Sequence, residues 1–164
     1  MVAIAICMMR RKSCPTYPDG QKIHNLYSAS VLSSVQSATG AFSYAALTYN
    51  ATAPFQVGRV LYGNGMSAAY DYDPEMQRLS ELQTVTTTTI QNLGYQFDLV
   101  GNLTQIDDGV GTMSQEFDYD DLNRLVQSSG PYGARDYEYD STGNLLAFGD
   151  KNSGFWNFSQ TGDI

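Results

Sequence analysis

Cysteine is nearly absent from this 164-residue chain: Cys7 and Cys14 are the only two. One disulfide is arithmetically possible, but the pair is isolated and lacks the Cys-x-x-Cys spacing of a zinc or redox site, so no disulfide framework organises the fold. Histidine occurs once, at His24. That excludes a histidine-based metal site within one chain and would leave any nucleophile–His–Asp triad resting on a single residue, with no Gly-x-Ser-x-Gly sequence to support it. Positive charge is scarce, with 9 basic against 17 acidic residues and a net charge of −8. Sequence-independent nucleic-acid binding needs clustered Lys and Arg and is excluded on that ground. The same acidity would repel an anionic membrane surface, while a cationic partner and plain solubility both fit it. No apolar run is long enough to span a bilayer. Met1 to Met9 is mostly apolar, but Arg10, Arg11 and Lys12 follow that run, the reverse of the order in a secretory signal. Lys12-Ser13-Cys14 also lacks the small apolar residues of a lipoprotein cleavage site. Residues 1–14 therefore read as a ragged N-terminal segment without an export signal.

What the chain does hold is tyrosine (12), glycine (15) and frequent Thr/Ser runs. Aromatic and β-branched residues suit a pleated, half-buried surface, and Gly, Asn and Asp suit tight turns, so the composition predicts an all-β protein. An internal period sharpens this. An aromatic followed by Asp or its substitute recurs at Tyr27, Tyr49, Tyr72, Phe97, Tyr119 and Tyr139, at spacings of 22, 23, 25, 22 and 20 residues. The clearest copies, Phe97–Leu103 and Tyr139–Leu145, read aromatic-Asp-x-x-Gly-Asn-Leu. Asp98 and Asp140 would open a four-residue turn and accept backbone N–H bonds. Gly101 and Gly143 would take its left-handed position, where Asn123 stands in for glycine in the Tyr119 copy. The Tyr72 copy carries one extra residue between Asp73 and Arg78. Before the turns, Tyr70/Tyr72, Tyr95/Phe97, Phe117/Tyr119 and Tyr137/Tyr139 alternate with polar residues, which places each pair on one strand face. Leu79, Leu103, Leu125 and Leu145 then enter the returning strands. Such hairpins are too small to bury their own apolar faces, so stacking is expected to pair their edges and layer the aromatics into one continuous core.

At these residues the sequence resembles a fragment of the RHS/YD-repeat family, which includes Rhs proteins, shell components of insecticidal toxin complexes and teneurin-like repeats. Tyr17-Pro-Asp-Gly20 and Tyr62-Gly-Asn-Gly65 with Tyr70-Asp-Tyr-Asp-Pro74 resemble further recurring stretches of that family. The resemblance implies stacked antiparallel β-hairpin repeats forming an arc of a β-spiral or solenoid shell. It covers a repeat array at 15–150, with 151–164 as a C-terminal tail. It also implies a non-catalytic structural role in encapsulating or presenting a toxin or other polypeptide. The partners implied are neighbouring YD repeats, self-association through open sheet edges, an encapsulated toxin and a glycan, with secretion or surface display as the location. The alternative is a cell-surface binding module contacting carbohydrate or a partner protein. The pattern departs from the family at Ser28, where the first copy lacks its Asp and its Gly, at the Ala53-Pro54-Phe55 interruption, and after Tyr139, where no self-cleaving core motif is found.

No catalytic, cofactor-binding or metal-binding residue is assigned. Asp71 with Asp73, Asp107 with Asp108, and Asp118 with Asp120 and Asp121 invite a calcium reading, but no Asp-x-Asp-x-Asp-Gly loop is present. Asp73, Asp98, Asp120 and Asp140 read as turn caps and the remainder as solvated edge charges. Carboxylates that recur with a repeat do not have the distinct environments an acid–base pair needs. His24 reads as a surface or strand histidine. Gly63-Asn64-Gly65 and Gly109-Val110-Gly111 read as hairpin loops, too short for phosphate cradles. Trp156 and exposed tyrosines offer stacking surfaces for a sugar. Thr84–Ile90, uncharged and β-prone, reads as an aggregation-prone edge when the chain is expressed without its neighbours.

Overall fold

The structure is a computed structural model that describes residues 15–51, 53, 55–150 and the backbone of 154–157. Cys7, Cys14, the ragged segment 1–14 and the side chain of Trp156 lie outside the described residues. Every regular element described is a β-strand: β1 (Ile23–Ser28), β2 (Val31–Ser37), β3 (Ser43–Tyr49), β4 (Val57–Tyr62), β5 (Ser67–Tyr72), β6 (Leu79–Val85), β7 (Thr89–Phe97), β8 (Leu103–Asp108), β9 (Gln115–Tyr119), β10 (Leu125–Gly130), β11 (Gly133–Tyr139), β12 (Leu145–Asp150) and β13 (Gly154–Asn157). The sheet is antiparallel and its strand order follows chain order, so neighbours in sequence are neighbours in space. The chain divides into two compact units, Met1–Gln91 and Asn92–Ile164.

All six sequence repeats are hairpins, and the turn of each falls where the aromatic–Asp step places it. The pairing adds a feature the period does not reveal. Tyr27 pairs with Leu32 but Leu26 pairs with Ser34, which leaves Ser33 unopposed. The same offset leaves Gly58 unopposed beside Tyr49, Ser80 beside Tyr72 and Thr104 beside Phe97. It recurs with Val126 beside Tyr119 and Leu146 beside Tyr139. Each hairpin thus carries a β-bulge on its returning strand, one step past the residue that faces the repeat aromatic. A bulge bends its strand and increases local twist, so every repeat bends at the same place.

The first repeat closes without glycine: Ala29 and Ser30 both take positive φ, at 47° and 72°. That is the geometry of a two-residue hairpin turn whose twist matches the strands. It explains how a copy lacking both Asp and Gly keeps its register.

Within each unit the aromatics expected to form the core are only half-buried. Among the described residues the buried apolar side chains are Ala53, Val60, Ala68 and Ala147, joined by Thr84 and Ser128. Tyr70, Tyr72, Tyr95, Phe97, Phe117, Tyr119, Tyr137 and Tyr139 are half-buried. The rings shield small residues instead: Ser128, 2% exposed, lies opposite Phe117 and within reach of the Tyr137 hydroxyl at 3.3 Å.

The Thr84–Ile90 run is not one continuous strand. It bends at Thr86–Thr88, where the Thr86 N–H donates to the Thr88 carbonyl at 2.9 Å. Thr84 is then buried, its hydroxyl bonding Gln91 Oε1 at 3.1 Å.

Candidate functional site

The most organised polar chemistry lies in the repeat turns. In the Phe97 turn the Asp98 N–H donates to the Asn102 carbonyl at 3.0 Å and the Gly101 N–H to the Asp98 carbonyl at 3.2 Å. Asp98 Oδ1 accepts the N–H groups of Val100, Gly101 and Asn102 at 3.1, 2.6 and 2.8 Å, and Oδ2 accepts the Asn102 amide at 2.8 Å. Gly101 has φ +108°, the left-handed conformation its position requires. The Tyr139 turn repeats this with Asp140, Thr142 and Asn144, and with Gly143 at φ +92°. In the Tyr119 turn Asn123 sits at φ +60°, and Arg124 donates its backbone N–H and Nε to Asp120 at 2.9 and 2.7 Å. The longer Tyr72 turn puts Gln77 at φ +54°, with Asp73 Oδ1 accepting from Glu75 and Met76. The four aspartates read from the sequence as caps are therefore caps.

These bonds favour the ionised carboxylates. Partial desolvation pushes Asp98 upward, but the Asn102 side chain and the N–H groups of Asn102, Gly101 and Val100 outweigh it and hold the carboxyl below its ordinary range. The Arg124 side chain is the leading cause of the same downward shift at Asp120, and the Asn144 and Thr142 side chains lead at Asp140. The unfolded chain binds protons at higher pH than these folded turns do, so stability is full above the unfolded carboxyl range and is lost as pH falls through the folded values. The urea midpoint is expected to be flat above about pH 5 and to fall steadily below about pH 4. Replacing Asp140 with Asn should reduce that slope. A midpoint that stays constant down to about pH 2.5 would remove the capping account.

Asp108 departs from the reading of it as an edge charge. It caps the β8–β9 loop, accepting the N–H groups of Val110, Gly111 and Met113 at 3.1, 2.9 and 3.2 Å, and the Gly111 bond leads its downward shift. Its Asp-Gly-Val-Gly sequence carried that signal, an acid followed at turn spacing by glycine. Asp107 is held by Gln105 and Gln96 at 2.7 and 3.1 Å. Asp71 and Asp118 are exposed, as is Asp121, and Asp71 faces Glu81 across the β5–β6 pair. His24 lies in β1 opposite Gln36. Among the described residues no three His, Cys, Asp or Glu side chains converge as a candidate metal set.

Two further kinds of contact join one repeat to another. Tyr49 donates its hydroxyl to the Leu32 carbonyl at 2.8 Å, and Tyr72, Tyr119 and Tyr139 donate to the carbonyls of Val57, Leu103 and Leu125 at 3.0 Å each. Each acceptor faces the previous repeat's aromatic and stands directly before its bulge. Forward contacts run from the residue preceding the returning strand. Gln56 Nε2 donates to the Gln77 carbonyl at 2.7 Å, Asn102 Nδ2 to Asn123 Oδ1 at 2.9 Å, and Arg124 Nη1 to the Asp140 carbonyl at 3.2 Å.

Away from the turns, Tyr17, Asp19, Gln21, Ile23, Val35 and Tyr44 line a shallow hollow of about 330 Å³. Phe42, Tyr44, Tyr62, Gly63 and Asn64 line a second of about 280 Å³. Tyr44 belongs to both, and a register shift at β2–β3 leaves it unopposed between Ser43 and Ala45. Phe42 and Tyr44 meet edge to face at 5.2 Å.

No protein-family model matches the chain, and no curated protein sequence matches it. Solved structures do. The crystal structure of TcdB2-TccC3-TEV aligns with a TM-score of 0.71 at 24% identity, over 82% of this chain and 8% of that one. TcdB2-TccC3-Cdc42 aligns at 0.61 and 22% identity, over 84% and 10% of the two chains. TcdB2-TccC3 without its hypervariable C-terminal region aligns at 0.58 and 21%, over 88% and 9%. The chain spans no more than a tenth of the length of these structures. The likeness establishes the fold: the hairpin-repeat architecture read from the YD pattern is the architecture of part of the TcdB2-TccC3 chains.

Proposed function

We propose that this chain is a structural segment of an RHS/YD-repeat shell that encloses or presents another polypeptide, such as a toxin. The observation that carries the reading is the sameness of the repeats. The bulge recurs in all six hairpins, the aspartate turn in four and the tyrosine hydroxyl bond in four, and among the described residues no pair of polar groups is set apart in the way an acid–base pair must be. The role then belongs to the wall as a whole, with flanking YD repeats as the immediate partners. Secretion or surface display would follow from such a role. The test is protease protection. The protein containing this segment is captured from its own cells with an antibody to the segment and treated with trypsin, with and without a denaturant that opens the wall. A co-purifying or covalently continuous polypeptide that resists trypsin until the wall opens is the expected result. A polypeptide cut equally under both conditions would end the containment reading.

A second reading is favoured by one observation, the exposed rings of Tyr17, Phe42, Tyr44 and Tyr62 around the two adjoining hollows. Aromatic faces stack on sugar rings or on apolar side chains of a partner, which would suit a cell-surface binding module. Saturable binding of a glycan or surface protein, abolished by Tyr44→Ala, would support it. Failure of that substitution to change any binding would remove this surface from consideration.

A further inference from the structure

The three forward contacts share a position and differ in what they require of the next repeat. Gln56 and Arg124 reach main-chain carbonyls, which a following turn of any sequence supplies. Asn102 reaches a side chain, Oδ1 of Asn123. The difference follows from length. Asparagine has one methylene fewer than glutamine and is shorter still than arginine, and one hydrogen of its amide is already committed to Asp98 Oδ2 at 2.8 Å. The second hydrogen meets the next turn only because that turn extends a side-chain acceptor towards it. Asn123 supplies the acceptor from the left-handed position, φ +60°, where the sister turns have Gly101 and Gly143. Glycine holds this conformation at no steric cost, whereas asparagine only tolerates it. Local conformation alone would therefore favour glycine at 123.

We propose that the residue directly preceding the returning strand is a pairing determinant that selects which hairpin can stack next. Glutamine or arginine accepts any following turn, and asparagine requires a following turn with asparagine at its left-handed position unless, as at Asn144, Thr142 Oγ1 of its own turn takes the second amide hydrogen. Asn102 and Asn123 are then the two halves of one recognition contact between consecutive repeats, and Asn123 is more than a stand-in for glycine. A repeat array built this way carries local instructions for its own order. Exchanging hairpins with identical aspartate turns would be permitted or refused by this one residue.

The test measures native-state hydrogen exchange of the full chain at the Val100–Leu103 amides, which belong to the donor's turn and not to the substituted one. Asn123→Gly should reduce their protection by roughly fivefold, the equivalent of one hydrogen bond of about 1 kcal/mol. Glycine's conformational relief should appear in the Leu122–Arg124 amides of the substituted turn itself. Asn102→Gln, or Asn102→Arg, introduced with Asn123→Gly should restore protection at 100–103, because the longer donors no longer need residue 123. A merely structural role for Asn123 would produce no such rescue. The proposal fails if Asn123→Gly leaves protection at 100–103 unchanged, or if neither longer donor restores it.

Discussion

Substituting alanine for Gly63 is expected to destabilise the β3–β4 region by about 3 kcal/mol, the upper part of the range for forcing extra volume into a packed site. A Cβ at Gly63 would lie 2.1 Å from the Ser43 carbonyl oxygen and 3.2 Å from Phe42 Cε1. The nearer atom is backbone, so it cannot rotate away as a side chain would. The strands must part, and with them the bond from the Gly63 N–H to the Tyr44 carbonyl at 2.9 Å. Gly65, two residues on, is the control. Its φ is +86° and nothing lies within 4 Å of its would-be Cβ, so Gly65→Ala meets only the left-handed penalty of about 1 kcal/mol. Native-state hydrogen exchange at Tyr62 and Gly63 separates the two costs, because it reports local opening free energy residue by residue. Equal losses in the two variants would mean that the close approach of the strands at Gly63 is not rigid. The exposed rings of Phe42 and Tyr44 are held beside that approach, so Gly63→Ala should also disturb the hollow they line.

How much of this was readable from sequence depends on whether the responsible physics is local. Asp98, Gly101, Asp140 and Gly143 were legible because a turn aspartate and a left-handed glycine act within four residues of each other. Asp108 obeys the same chemistry but falls between repeats and outside their period, so the period does not point to it. The Tyr27 hairpin was legible by spacing alone, since Ala29 and Ser30 carry none of the usual residues for positive φ. The bulges at Ser33, Gly58, Ser80, Thr104, Val126 and Leu146 were not legible. Which residue is left unopposed is a property of two strands aligned together, and no residue type is common to those six positions. The same reason hid the second role of Asn123, whose conformation is local but whose partner lies in the preceding repeat. The aromatic alternation puts each pair on one strand face, and the rings there are half-buried. Periodicity assigns a face, and only the presence of a second layer decides whether that face is covered.

The repeat tyrosines were expected to contribute through their rings, and the structure adds their hydroxyls. Replacing Tyr49, Tyr72, Tyr119 and Tyr139 together with phenylalanine keeps the ring area and removes four bonds to carbonyls beside the bulges. A bond of this kind contributes about 1 kcal/mol net, and its loss leaves a half-buried carbonyl without its partner. The four sites share no acceptor, so their effects should add to about 4 kcal/mol. That is a large fraction of the stability of an ordinary domain. Single variants should each lose about 1 kcal/mol, read as a lower urea midpoint with an unchanged denaturant slope. Phe97 shows that the ring alone is compatible with a repeat: its hairpin keeps the same turn and the same bulge without a hydroxyl. The loss in the fourfold variant should therefore fall on the junctions between repeats and spare the turns. Amides next to Leu32, Val57, Leu103 and Leu125 should exchange faster while those capped by Asp98 and Asp140 stay protected. If turns and junctions lost protection together, the hydroxyls would be supporting the hairpins themselves, and stacking would have to be held by ladder hydrogen bonds and ring contacts alone.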